Sequence, residues 1–487
     1  MTAARRAGAA ALLAAGTLWA GCAIGPKYVR PAVAVPPAYK ETPPGETGHD
    51  WVAAQPADTA HRGTWWTVFH DRTLDRLEAG LTASNQNLKA AAAQFLQARA
   101  LVRAARSAYL PQIVAGASIT PGAESGTKPL RSPLAARSYT DYLVGGDVAY
   151  EPDVWGRIGR TVQASRAEAQ ASAADLEVVR LSLHAECAID YFALRGLDAR
   201  KQLLNESVAA DERALALTRD RHAGGLASGA DVAQAETQLE TTRAEAIDVG
   251  VQRAQFEHAI AVLLGRPAST FSLPARPLTT APPPIPPGFP SQLLQRRPDI
   301  AAAERRVAAA NAEIGLTSIA YYPLVTLTGG AGFESGSIGD WFRGLSAFWM
   351  AGPAAALTVF DGGRRRAAAE QARAAYDEAV ATYRETVLEA FQEVEDNLVA
   401  LRVLHQEART EDAAVAAARR SLALAMIRYK GGVANYLEVT SAQTAALADE
   451  ETSVSLLTRR MAASVLLVKA LGGGWTSASL PSGNPGP

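Results

Sequence analysis

The sequence predicts an α+β protein built from two similar halves, each with long helices and a pair of short strands. Residues 186–265 align without a gap to residues 393–472, with 22 identities among 80 pairs, which indicates an internal repeat. Proline is absent from 157–266 and from 364–471, so both stretches can be helical over most of their length. Between the helical stretches, apolar and polar residues alternate, which is typical of strands.

The chain begins with the pattern of an export signal. Two arginines precede an apolar run over 7–18, and small residues lead to Cys22. A run this short is typical of a secretory signal and is too short for a membrane-spanning helix. The ending resembles a bacterial lipoprotein box, although Trp19 stands where that box usually has leucine. We therefore predict a signal peptide over 1–21 and a lipid on Cys22; an ordinary thiol beside a cleavage site is the alternative.

Composition excludes several functional classes. The net charge of -1 gives no electrostatic basis for binding nucleic acid. The seven histidines are scattered, with no two at metal-ligand spacing on one helix, so neither a zinc site nor an enzyme is indicated. After residue 21 no apolar run approaches the ~18 residues of a membrane-spanning helix. Any membrane-spanning part would therefore consist of β-strands.

The course of the chain divides it into six segments. A Pro-rich stretch suits an extended arm, helical patterning starts near Thr73, and a second Pro-rich stretch separates the two repeats. The predicted segments are a signal peptide (1–21), a lipid-anchored Pro-rich arm (22–70), a first repeat (71–266), a Pro-rich linker (267–290), a second repeat (291–472) and a disordered tail (473–487).

The longest predicted helices exceed the width of a compact domain. A continuous helix over 157–221 would be ~97 Å long, whereas its return partner over 231–264 would be only ~51 Å. A separate helix over 85–108 can cover the remainder. Apolar residues three and four apart, as from Tyr376 to Leu401, form a coiled-coil seam. We predict two short helices end to end beside one long helix, twice over; an ordinary solvent-exposed coiled coil is the alternative.

Strand pairs are predicted near 109–151 and near 322–360, the latter ending with a candidate strand over 347–360. Each strand has about the ~9 to 11 residues that a tilted outer-membrane strand needs. Soluble hairpins that cap the coiled coil are the alternative. Four strands cannot close a barrel, and open edges in lipid leave backbone groups unpaired. Closure therefore requires two chains or three, and composition does not choose between them.

Short motifs placed along nearly the whole mature chain resemble one family. They are similar to those of the TolC-like outer-membrane efflux ducts, in the lipoprotein branch that serves resistance-nodulation-division (RND) pumps. The motifs are Cys22-Ala23-Ile24-Gly25-Pro26, Trp65-Trp66, Tyr109-Leu110-Pro111, Trp155-Gly156-Arg157, Gly224-Gly225, Leu264-Gly265-Arg266-Pro267, Arg297-Pro298-Asp299-Ile300, Tyr322-Pro323 and Asp361-Gly362-Gly363-Arg364.

The resemblance implies a homotrimer whose twelve-stranded outer-membrane barrel, four strands per chain, continues into a long periplasmic α-helical barrel. It implies passive conduction, without cofactor or catalysis, of substrates expelled by an inner-membrane RND pump, which a periplasmic adaptor joins to the duct. The protein would sit in the outer membrane, anchored by lipid, and extend into the periplasm. A duct for a protein-secretion exporter is the alternative. An adaptor protein itself would show one helical hairpin, whereas this chain shows two.

The resemblance also implies two functional sites. In the family, a leucine and an aspartate one turn later constrict the closed tunnel, and the matching residues here are Leu437 and Ser441, so the carboxylate is missing. We therefore predict a closed state held by Leu437 packing and tip contacts, with weak block by divalent cations. Glycine pairs that merely form turns, and gate residues that merely pack the coiled coil, are the alternatives. The predicted adaptor-docking tips contain His222, Gly224, Gly225, Lys430, Gly431 and Gly432, and the predicted periplasmic gate contains Leu437, Ser441 and Glu438.

Overall fold

The computed structural model describes residues 24–41, 64–129, 132, 136–285, 290–476, 478 and 480. The predicted signal peptide and Cys22 lie outside the described residues, as does most of the predicted tail. The structured part extends past the predicted start of that tail, because Trp475 packs beside the buried residues Ala174 and Ala301.

Eight helices and four strands account for most of the described residues, and none of these helices is both long and apolar enough to cross a membrane. In chain order the elements are α1 (Arg72–Ser84), α2 (Gln86–Ser107), β1 (Gln112–Ala123), β2 (Ser138–Tyr150), α3 (Arg157–Ala223), α4 (Gly229–Leu263), α5 (Pro290–Arg296), α6 (Pro298–Ile319), β3 (Leu324–Ser335), β4 (Ala347–Ala356), α7 (Arg364–Lys430) and α8 (Tyr436–Ala470).

The helices form one layer. Helix α3 packs against α2 and α4 and also against α6 and α8, and α7 packs against α6 and α8. Both long helices, α3 and α7, contain 67 residues, which corresponds to ~100 Å. The layer therefore has two open edges, one along α7 and one along α2 and α4. This is the predicted arrangement of two short helices beside each long one.

The short helices meet end to end, and the contacts satisfy exposed helix termini. The last carbonyls of a helix have no partner within it. Asn85, which caps α2, donates its side-chain amide to the Leu263 carbonyl at 2.8 Å. In the second half, Arg297 precedes α6 and donates to the Ala470 carbonyl at 3.1 Å. Arg297 is buried and also pairs with Asp299 and Glu393, so its charge is matched.

The four strands form one antiparallel sheet in the order β1-β2-β3-β4. Val148 lies opposite Ile113 on one side and Gly329 on the other, and Phe333 lies opposite Val144. Because opposed residues share a face, one face is largely apolar. The other face carries Asp141, Asp147, Glu334, Thr326, Thr328 and several glycines.

Strand β4 is shorter than predicted. The predicted strand over 347–360 ends at Ala356, which lies opposite Leu324, the first residue of β3. Beyond that point no strand is available to pair with, so residues 357–360 leave the sheet. Pro121 in β1 and Pro353 in β4 both lie in edge strands, where a missing N–H is tolerated.

The described part of the N-terminal arm is extended, and side chains hold it on the second repeat. Tyr39 is buried among apolar residues of α5, α6 and α7. The Glu395 carboxylate accepts the backbone N–H groups of Lys40 and Glu41, at 2.7 and 3.1 Å. Arg30 donates to the Tyr383 hydroxyl at 3.1 Å. The described part of the arm therefore packs against the second repeat and contributes to its core.

A buried polar pair joins α1 to α3. Glu78 Oε2 lies 2.5 Å from His184 Nδ1, and the His184 ring stacks on Trp66 with centroids 4.4 Å apart. Burial raises the pKa of Glu78 to about 9 and lowers the pKa of His184 to about 4. At neutral pH the pair is therefore uncharged, with the Glu78 carboxylic acid donating to the imidazole.

We expect Glu78→Gln to reduce the pH dependence of folding stability between pH 6.5 and 9. The folded-state pKa of Glu78, about 9, lies above the unfolded value of ~4.3, so its contribution is full below pH ~4.3 and is lost as pH rises toward 9. His184 is depressed to about 4 from ~6.5, so its contribution is lost as pH falls below ~6.5. Within this pair, only Glu78 changes stability above pH 6.5, by on the order of 3 kcal/mol per chain.

Thermal unfolding of the purified protein at pH 6.5, 8 and 9 measures this effect. The wild type should lose melting temperature as pH rises, and Glu78→Gln should lose less. Glu240→Gln, an exposed carboxylate paired with Arg243 on α4, is the matched control and should follow the wild type. Identical pH profiles for wild type and Glu78→Gln would show that Glu78 is ionised in the folded protein.

Candidate functional site

The two helix hairpins end in turns of the same design. The Leu226 N–H donates to the Arg221 carbonyl at 2.8 Å, and the Val433 N–H donates to the Arg428 carbonyl at 3.1 Å. Gly225 has a φ of 71° and Gly432 a φ of 76°, a left-handed conformation that glycine adopts without a steric cost. The double glycines singled out in the sequence therefore form both tips.

The helices that leave the tips start with different caps. In the first tip Ser228 and Asp231 form a capping box. In the second tip the Asn435 side chain accepts from the Glu438 N–H at 3.2 Å, and the Glu438 carboxylate lies 3.3 Å from the Arg428 guanidinium. His222, a predicted docking residue, places Nδ1 2.9 Å from the Ala227 carbonyl. Of the predicted tip and gate residues, His222 and Glu438 are thus bonded within their own hairpins.

The two tips contact each other through Arg221. Its Nη1 donates to the Lys430 carbonyl at 2.9 Å, and its guanidinium lies 4.9 Å from the centre of the Tyr429 ring. The Tyr429 hydroxyl donates to Thr218 Oγ1 at 3.2 Å. None of these three side chains was among the predicted site residues. The repeat alignment could have drawn attention to Arg221, which matches Arg428, but not to Tyr429 or Thr218, which differ between the copies.

A buried carboxylate links the two hairpins at a point along the helices beyond the tip contacts. Asp211 on α3 accepts from Thr242 on α4 at 2.9 Å and from Gln443 on α8 at 2.8 Å. Burial raises the pKa of Asp211, and the Thr242 hydrogen bond opposes that shift. Nearby, burial and then the Asp211 charge raise the pKa of Tyr436 to about 12. Polar side chains from three helices therefore fix how the hairpins lie together, because each buried group needs its partner.

The predicted gate residues lie on the outer faces of their own chain. Tyr436, Val439 and Gln443 are buried, whereas Leu437 and Ser441 are exposed on the opposite side of α8. Leu437 is 53% exposed. Residues four apart share a helix face, so these two side chains form one line that is available to a lumen or a neighbouring chain.

Within the described part of the chain, no group of three or more His, Cys, Asp or Glu side chains is arranged to hold a metal ion. The chemistry at the tips is that of hydrogen bonds, one ion pair, one stacked guanidinium and apolar contact.

A sheet with one apolar and one polar face, joined to ~100 Å helices that end in paired tips, defines a tubular channel of the outer membrane and periplasm. The chain belongs to the outer membrane efflux protein family, whose model matches residues 80–266 and 289–473. The two matched regions correspond to the two halves of the repeat.

Relatives and solved structures agree with this assignment. The chain is 34% identical over 471 residues to outer membrane protein OprJ of Pseudomonas aeruginosa, covering 96% of each chain. It is 32% identical over 478 residues to the toluene efflux pump outer membrane protein TtgF of Pseudomonas putida, covering 94% of this chain and 95% of the relative. The outer-membrane channel OprN superposes with a TM-score of 0.85 at 29% identity, over 93% of this chain and 100% of that chain.

The protein is therefore an outer-membrane efflux channel that extends into the periplasm, in a family of channels rather than of enzymes. Its fold is the trimeric one, in which three chains each give four strands to a twelve-stranded barrel that continues into a helical barrel. Three chains, not two, close the sheet edges that the sequence left open.

Proposed function

We propose that this channel is the outermost part of a three-part efflux system and conducts passively. An inner-membrane RND pump expels the substrate, a periplasmic adaptor joins pump and channel, and the channel supplies the path to the exterior. The observation that carries this proposal is the pair of helix tips at the ends of α3 and α7, ~100 Å from the sheet. A channel that only crossed the outer membrane would not need helices of that length.

We propose that the adaptor docks on these tips through residues of both turns. Leu226 is 71% exposed and Val433 is 72% exposed, and the repeat places them at equivalent positions. These exposed apolar side chains occupy matched positions, near His222 and Lys430. In the assembled channel, every tip would therefore present a similar apolar contact to the adaptor. The glycine pairs 224–225 and 431–432 keep the backbone accessible beside them.

The experiment is complementation of a strain that lacks its own channel but keeps pump and adaptor. The double variant Leu226→Asp, Val433→Asp should raise intracellular accumulation of an efflux dye to the level of cells without the channel, because charge at the docking surface costs desolvation. The swap Leu226→Val, Val433→Leu keeps the apolar surface and should behave as wild type. Wild-type efflux by the double Asp variant, at equal trimer yield, would rule out docking through these side chains.

We also propose that Cys22 carries lipid and that Leu437, Ser441 and Glu438 lie at the periplasmic constriction. The Pro-rich arm that follows Cys22 continues into the segment fixed on α6 and α7, which supports a tether at this end of the molecule. The exposed line of Leu437 and Ser441 supports a lumen position in the trimer. A single acyl chain gives marginal attachment, whereas several chains and a barrel together make it stable.

A further inference from the structure

The apolar face of the sheet has an open groove at the end that joins the helices. Its volume is about 490 Å³, and it is lined by Tyr109, Pro111, Val148, Tyr150, Leu327, Thr328 and Gly329. Register explains the space, since Gly329 lies directly opposite Val148 and contributes no side chain. Tyr109 and Tyr150 close the end toward the helices. No charged side chain lines the groove.

The start of the described arm is fixed close to this groove. Arg160, in the first turn of α3, donates from Nε to the Ile24 carbonyl at 3.1 Å. Gly25 follows with a φ of 107°, and a Cβ there would lie 2.6 Å from the Gly315 Cα. Only glycine fits this approach, so the arm is held against α6 at a defined point.

The same turn of α3 lies beside Tyr109, which lines the groove. Gly159 precedes Arg160, and a Cβ at Gly159 would lie 3.4 Å from the Tyr109 hydroxyl. The residue that anchors Ile24 is therefore adjacent in the chain to a glycine that lies next to the Tyr109 hydroxyl. Cys22 is two residues before Ile24, and an extended chain covers at most ~3.6 Å per residue. The anchored Ile24 therefore limits how far the lipid attachment point, two residues earlier in the sequence, can reach from this end of the sheet.

We propose that the groove holds an acyl chain of the lipid on Cys22 of the same chain. This inference rests on the lipidation proposed above. The lining is mostly apolar and uncharged, which suits a hydrocarbon chain. The tyrosines lie at the helix end of the groove, where amphipathic rings favour a membrane interface. Each methylene buried in the groove adds to the attachment of the arm. The lipid would thus seat the arm against β2 and β3 as well as tether it to the bilayer.

The test is photo-crosslinking of the full-length trimer in intact membranes. Cells are supplied with a fatty acid that carries a diazirine and an alkyne, irradiated, and the labelled peptides are mapped by mass spectrometry. For the wild type we expect cross-links between the N-terminal lipopeptide and peptides covering 143–150 and 324–330. Gly329→Leu should fill the groove without disturbing the backbone, because a side chain at this position meets only ordinary contacts. In this variant the lipid remains attached, and the cross-links should fall several-fold.

A Cys22→Ser protein with an ordinary signal peptide separates the two lipid sources, since the probe is then present only in bulk phospholipid. Little label in the groove is expected. Equal label in Cys22→Ser and wild type would mean that membrane lipid occupies the groove, and cross-links of the wild-type lipopeptide elsewhere would also overturn the inference. A mature N-terminus without lipid would overturn it directly. Dye efflux by the same cells reports on the proposed function separately, so a negative cross-link with normal efflux refutes only the groove assignment.

Discussion

Val387→Pro is expected to abolish the assembled trimer. Val387 is 1% exposed and lies in the interior of α7, more than six turns from its start, in the seam with Tyr383 and Val394. Proline there removes an interior hydrogen bond and clashes with the preceding turn, at a cost of ~3 kcal/mol or more per chain. Because α7 forms one open edge of the helical layer, a kink would displace the surface that meets the next chain. Three chains would carry the same defect in one assembly.

Light scattering on the detergent-purified protein measures the loss of trimer. Arg366→Pro is the matched control, because residue 366 is exposed in the first turn of the same helix, where proline is tolerated. Val387→Ala should retain the trimer with reduced thermal stability, since it removes only packing. A normal trimer with Val387→Pro would mean that the assembly does not depend on a continuous α7.

Arg221→Ala is expected to raise the conductance of the closed channel. The substitution removes the hydrogen bond to the Lys430 carbonyl and the stacking on Tyr429, the contacts that join the two tips. Loss of a charge-assisted hydrogen bond costs ~1.5–3 kcal/mol. Since each 1.4 kcal/mol is tenfold in an equilibrium, the population with separated tips should rise roughly tenfold or more. Single-channel recording in a planar bilayer measures this population directly.

Two variants control for the loss of charge and for general weakening of the hairpin. Arg219→Ala removes an exposed ion pair with Glu236 in the first hairpin and should leave conductance unchanged, because exposed pairs contribute little. Arg221→Lys keeps the charge but loses the planar stack and should give an intermediate value. Closed-state conductance that is equal in wild type and Arg221→Ala would exclude the tip contact as a determinant of closure.

The same recordings examine the proposed gate. Leu437→Ala should raise closed-state conductance, and divalent cations on the periplasmic side should block only weakly, because Ser441 carries no charge and Glu438 faces Arg428. Strong block at low cation concentration that persists in Glu438→Gln would contradict this. Unchanged conductance in both Leu437→Ala and Ser441→Ala would place the gate elsewhere.

The contacts between the tips use positions at which the two repeats have diverged. Tyr429 matches His222 in the first copy, and Thr218 matches Ala425 in the second. The hydrogen bond from Tyr429 to Thr218 therefore exists only in one direction, from the second hairpin to the first. The two hairpins are similar because they are copies of one repeat. Their differences at these positions mean that the first hairpin contributes the acceptor and the second contributes the donor of this hydrogen bond.

The sequence by itself determined the elements of this protein. The helix predicted over 157–221 is observed as Arg157–Ala223, and the double glycines form the tips as predicted. These features depend on residues close together in the chain, on hydrophobic periodicity and on glycine's freedom at positive φ. Because of the internal repeat, each of these predictions holds in both halves of the chain.

Tertiary structure alone decided the ends of β4, the fixed position of the arm and the contacts between the hairpins. Strand β4 stops at Ala356 because its partner β3 begins opposite that residue, which no local pattern contains. Arg221 and Lys430 are 209 residues apart in the chain, because they belong to different copies of the repeat. No local pattern connects them. Periodicity specifies which face of a helix is buried, but the partner of a buried polar group is set by the packing of whole helices in three dimensions, and that packing placed the candidate site.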